Sequence, residues 1–89
     1  MSNRLIRDGL LKSEKVASLP IEGRWLFLTM LLSADDIGLF EATPFNLAKD
    51  SDIKPGVVVH LMQMIADADL VRFYEVGGKR YGYIPKFRQ

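Results

Sequence analysis

The chain has 89 residues, 48% of them apolar, and its 12 basic and 11 acidic side chains leave a formal net charge of +1. That apolar content beside 26% charge excludes a disordered tail or a low-complexity linker and points to one small packed domain. The absence of cysteine excludes a disulfide framework and a thiolate metal site, leaves burial to hold the fold, and is in keeping with a reducing compartment.

The first nineteen residues scatter Arg4, Arg7, Asp8, Lys12, Glu14 and Lys15 among apolar positions, so they lack the unbroken core of a secretory signal. A cytoplasmic protein is expected. From Pro20 to about Ala34 the signals are helical, with Pro in the first turn and Glu22 complementing the helix dipole. Its longest apolar run, Trp25 to Leu32 interrupted only by Thr29, is far too short for the roughly 20 residues of a membrane span. Ile21, Trp25, Leu28 and Leu32 form one stripe at helical spacing, and Leu26, Phe27, Met30 and Leu31 spread over the rest. An all-round apolar helix of this kind is expected to be central and buried, the alternative being a partner surface.

Asp35, Asp36 and Gly38 end this helix with turn chemistry, and residues 38–42 read as a short strand. Thr43-Pro44 then predicts an N-cap and first turn for a short helix to about Lys49, stopped by Asp50-Ser51-Asp52. A third helix follows Lys54-Pro55-Gly56. Val58, Leu61, Met62, Ile65 and Ala66 recur at the spacing of one buried face, which places His60, Gln63, Met64 and Asp67 outward. Val57, Val59 and Met64 fit the inward face poorly; with part of the first helix they could make a dimer surface, or simply reflect a loosely amphipathic helix.

Beyond Leu70, residues 71–76 and 79–84 are β-prone runs separated by Gly77-Gly78, the signature of a hairpin whose primed turn needs positive φ. A two-residue loop sets Val76 opposite Lys79, Glu75 opposite Arg80, Tyr74 opposite Tyr81, Arg72 opposite Tyr83 and Val71 opposite Ile84. Pro85 ends the second strand. Charge is uneven along the chain. In residues 71–89, Arg72, Lys79, Arg80, Lys86 and Arg88 against Glu75 give +4; in residues 41–70, two lysines against Glu41, Asp50, Asp52, Asp67 and Asp69 give −3.

Helix, short strand, helix, turn, helix and basic hairpin follow one another in the order of a winged helix-turn-helix, an α+β fold with a three-helix core and a C-terminal hairpin wing. The stretches Arg4-Leu5-Ile6-Arg7, Ser13-Glu14-Lys15-Val16 and Ala34-Asp35-Asp36-Ile37-Gly38-Leu39-Phe40, with the strand from Tyr81 to Phe87, resemble the N-terminal winged-helix domain of phage replication initiators, the replisome organisers. The resemblance covers nearly the whole chain, and Ala-Asp-Asp-x-Gly after an apolar helix is its most specific motif. It implies origin binding through residues 1–89 as a single domain, with a helicase or helicase loader recruited through a further C-terminal region.

In such a fold the helix after the turn enters the major groove. Lys54, His60 and Gln63 are its groove-facing candidates, and Lys49, Lys79, Arg80, Lys86 and Arg88 the phosphate-holding ones, with the N-terminal arm as a further source of cations. The alternative for the basic hairpin is a solvated edge whose cations prevent strand pairing. Tyr74, Tyr81 and Tyr83 could stack on single-stranded bases, or pack across the strands. A winged helix used for protein association, and a phage transcriptional regulator, remain open beside the initiator.

Catalysis is not expected. Asp35-Asp36 reads as a helix terminus rather than a carboxylate pair. Asp50-x-Asp52 begins like a calcium loop but has Pro55 where that loop needs Gly and Leu61 where it needs its bidentate Glu. His60, the single histidine, has no cysteines with which to build a zinc set, and Gly77-Gly78-Lys79 lacks phosphate-loop spacing. No metal or cofactor is expected.

Overall fold

The computed structural model describes residues 14–85. Lys86 and Arg88, together with Arg4, Arg7 and the rest of the N-terminal arm, lie outside the described residues. Within residues 14–85, four helices and three strands follow in order: α1 (Glu14–Ala17), α2 (Ile21–Ser33), β1 (Leu39–Glu41), α3 (Pro44–Ser51), α4 (Pro55–Asp67), β2 (Arg72–Val76) and β3 (Lys79–Tyr83). The chain is α+β, compatible with the winged helix expected.

Helices α2, α3 and α4 each begin where the sequence places a proline, but none of the residues at their cap positions, Pro20, Thr43 and Lys54, makes a side-chain capping hydrogen bond. Helix α3 runs two residues past the expected Lys49. The Ser51 hydroxyl donates to the Leu47 carbonyl at 2.6 Å, and Asp52 then turns left-handed (φ 61°, ψ 34°) so that its N–H and that of Ile53 both return to the Ala48 carbonyl. The Asp50-x-Asp52 pair is thus a helix ending.

The hairpin adopts the expected register from Val76 opposite Lys79 to Arg72 opposite Tyr83, with Gly77 and Gly78 at φ 58° and 83°. The wing does not stand alone. β1 pairs antiparallel with β3, giving a sheet of order β1-β3-β2 in which Phe40, Gly82 and Phe73 share one row and Glu41, Tyr81 and Tyr74 the next. The Phe40 row faces the helices, which leaves the Tyr81 row on the outer face.

Leu26, Phe27 and Met30 of α2, Leu47 of α3, Val58, Leu61 and Ile65 of α4, and Val71 and Ile84 beside the sheet build one core. Two sequence expectations about helix faces are corrected. The stripe Ile21, Trp25, Leu32 of α2 points to solvent, with Ile21 72% and Leu32 63% exposed; only Leu28 of that stripe packs against the core. With apolar groups on every side, α2 offers two possible inner faces, and a domain this small covers only the one carrying Leu26, Phe27, Met30 and Leu31. Met64, expected outward on α4, packs against the core, because α4 is embraced by α2 and α3 on a wider arc than the Val58-Leu61-Ile65 stripe. Ala66, expected inward, is half-buried.

Candidate nucleic-acid interface

The outward side of α4 and the outer edge of the sheet meet in a cleft. Among the described residues β2 is an edge strand, paired with β3 alone, and it faces α4 across an opening of about 760 Å³ lined by Val59, Gln63 and Ala66 from the helix and Arg72, Glu75 and Arg80 from the hairpin. Two local signals create it. The 3.6-residue period turns Val59 and Gln63 away from the core once Val58, Leu61, Met62 and Ile65 are buried. The glycine turn then fixes which hairpin residues stand opposite.

Among the expected contact residues, Gln63 and Arg80 are brought together at this cleft. His60 is exposed on α4 next to Val59, and Lys79 is exposed at the wing tip, directly after the turn. Lys49, in the last turn of α3, and Lys54, at the start of α4, are exposed and flank the turn between those helices. They do not line the cleft. Arg72, which the hairpin's basic count includes but which was not among the expected contacts, does line it; its register opposite Tyr83 sets it on the same sheet face as Tyr74, and it reaches the cleft because β2 is the edge strand.

The electrostatics of the cleft depend on the acids that line it, Asp69 and Glu75, and on Asp67 beside it. Gln63 Nε2 donates to Asp67 Oδ1 at 2.9 Å, one turn further along α4. Lys15 Nζ lies 3.9 Å from Asp69 Oδ2. Both side chains of that pair are largely exposed, so its contribution to stability is slight, but it sets a cation beside the acidic end of α4. Among the described residues Arg72 and Arg80 form no side-chain hydrogen bond or ion pair, so both guanidinium groups are available to an outside acceptor. Each presents a planar fork of donors suited to phosphate.

Tyr74 and Tyr81 stack across β2 and β3, with ring centroids 5.8 Å apart and planes 28° from parallel, as cross-strand packing predicts. Asp35 builds the turn into β1: its Oδ1 accepts from the N–H groups of Ile37 and Leu39, each at 3.0 Å. Among the described residues no three His, Asp or Glu side chains converge on a possible metal site, and no helix is long and apolar enough to cross a membrane. No family model, curated protein or solved structure matches the chain, which leaves the cleft between α4 and the wing as the ground on which a function must be assigned.

Proposed function

We propose that the chain is a winged-helix module that binds double-stranded DNA without catalysis of its own, in the setting its sequence resembles: origin recognition in phage replication, in the cytoplasm of a bacterial host. The observation that carries the reading is the pair Arg72 and Arg80, without partners among the described residues and set across a cleft from Gln63 on the outward side of α4. His60 and Gln63 would meet base edges, with the Gln63 amide shifting from Asp67 to the DNA. Arg72, Lys79 and Arg80 would hold one backbone, and Lys49 and Lys54 the other side of the groove. A transcriptional regulator would use the same contacts at a different site.

Retention of duplex DNA should weaken steeply with salt, the log-log slope being roughly −0.9 for each phosphate neutralised. Changing Lys79 and Arg80 together to alanine should make that slope shallower by roughly one for each phosphate no longer neutralised. An unchanged slope removes the wing from the interface, and no retention at low salt removes the DNA reading altogether.

One observation favours a second reading, a module for protein association. Ile21 and Leu32 stand exposed on one stripe of α2 with the half-exposed Trp25 between them, and such patches mark interaction surfaces. Sedimentation over a range of concentrations decides it: a dimer abolished by Ile21→Ser with Leu32→Ser, in a chain that does not retain duplex DNA, establishes association as the working activity.

A further inference from the structure

The outer face of the sheet holds a second opening, of about 430 Å³. Its walls are Leu39, Phe40 and Glu41 of β1, Tyr81 of β3, Tyr74 and Val76 of β2, and Asp35 from the turn before β1. Register explains the arrangement, since Glu41, Tyr81 and Tyr74 stand side by side across the three strands. Tyrosine faces beside arginines invite a nucleic-acid reading, but the charges here have the opposite sign. Two carboxylates and no cation line the opening, and Arg72 and Lys79 of the same sheet fall outside it.

Both carboxylates have capacity to spare. Asp35 Oδ1 is committed to the Ile37 and Leu39 N–H groups, and Glu41 Oε1 accepts from Asn46 Nδ2 at 3.2 Å, while among the described residues no contact engages either second oxygen. Neither group forms an ion pair among those residues. An aromatic pair next to unneutralised carboxylates attracts a cation through the ring quadrupole and the full negative charge together. Of the two protein cations, a guanidinium fits better, because its plane can lie on a tyrosine ring while its fork reaches a carboxylate.

We infer that this hollow on the outer sheet face is a docking site for an arginine side chain of a partner protein. The site shares Tyr74 with the cleft beside α4 but has carboxylates of its own, Asp35 and Glu41, and it does not rest on the DNA reading. An arginine entering over Tyr81 would meet Glu41 on one flank and Tyr74 on the other, with Leu39, on the same face of β1 as Glu41, against its methylene stem. Anionic single strands, by contrast, would be repelled from Asp35 and Glu41.

The test is an NMR titration of the chain with three blocked tripeptides, Gly-Arg-Gly, Gly-Lys-Gly and Gly-Gln-Gly, following the ring protons of Tyr74 and Tyr81. The arginine peptide is expected to shift both rings saturably in the millimolar range, the lysine peptide more weakly, and the glutamine peptide not at all. Glu41→Gln and Asp35→Asn remove charge while keeping the acceptor oxygens that hold the turn. Their combination should weaken the arginine peptide at least about fivefold and leave the salt dependence of duplex binding unchanged. Equal shifts from the arginine and glutamine peptides, or an unweakened double variant, overturn the assignment. So does oligothymidylate shifting the same two rings more strongly than the arginine peptide, which would make the face a base-stacking platform.

Discussion

Phe40 of β1 lies directly over Gly82 of β3, its ring occupying the space that a Cβ at position 82 would fill. Phe73, opposite Gly82 on the other flanking strand, meets Phe40 edge to face at 6.5 Å and 85°. A glycine in the middle strand therefore lets the aromatic rings of the two outer strands meet between the sheet and the helices. Gly82→Ala must push the buried Phe40 ring aside, an overpacking expected to cost about 1–3 kcal/mol. Urea unfolding followed by circular dichroism reads it directly; a midpoint equal to the parent's would mean that Phe40 moves without cost.

A second long-range tie joins α2 to the end of α3. Trp25 Nε1 donates to the Ser51 carbonyl at 2.8 Å, fixing an indole that is 48% exposed. Trp25→Phe keeps an aromatic ring and removes the donor, so the expected loss is that of one hydrogen bond, about 0.5–1.5 kcal/mol. Denaturant midpoints of the two proteins check this, and a loss several times larger would show that the indole contributes chiefly by packing.

The two faces of α2 should respond differently to substitution. Leu26 is fully buried, and Leu26→Ala is expected to cost about 2–5 kcal/mol through lost transfer energy and the cavity left behind. Ile21→Ser and Leu32→Ser, at exposed positions, should each fall within about 0.5 kcal/mol of the parent. If the serine variants destabilise as strongly as Leu26→Ala, the exposed stripe is covered in solution.

These helix faces also show where the sequence was readable. The Val58-Leu61-Met62-Ile65 stripe was legible because it recurs at helical spacing with His60, Gln63 and Asp67 set off it, although Val57 and Val59 blur the contrast, and the hairpin register was legible because Gly77-Gly78 leaves one way to pair the strands. Helix α2 lacks any such contrast, so its outward stripe could be seen only once α3 and α4 were packed against the other side. The pairing of β1 with β3 was hidden for a different reason: β1 is three residues long, and its partner is set by the close approach of Phe40 to Gly82 rather than by a local pattern. Of the candidate interface, the cations of the wing could be counted from sequence, but the cleft that joins Arg80 to Gln63 depends on where β2 lies beside α4.

The turn at the wing tip offers a test in two directions. Gly77 and Gly78 both have positive φ, as a type I′ turn requires. A Cβ at Gly77 would meet nothing within 4 Å, so substitution there changes backbone strain and little else. Gly77→Val, forced into the left-handed region, should cost about 1–2 kcal/mol. Gly77→Asn forms the Asn-Gly pair favoured in such turns and should match or exceed the parent, since asparagine tolerates that conformation and restricts the unfolded chain more than glycine does. The turn also sets the positions of Lys79 and Arg80 opposite Val76 and Glu75. If the wing contacts DNA, Gly77→Val should lose duplex affinity along with stability and Gly77→Asn should keep both. Full duplex affinity in a Gly77→Val chain whose hairpin amides no longer show strand protection in hydrogen exchange would separate DNA binding from the wing.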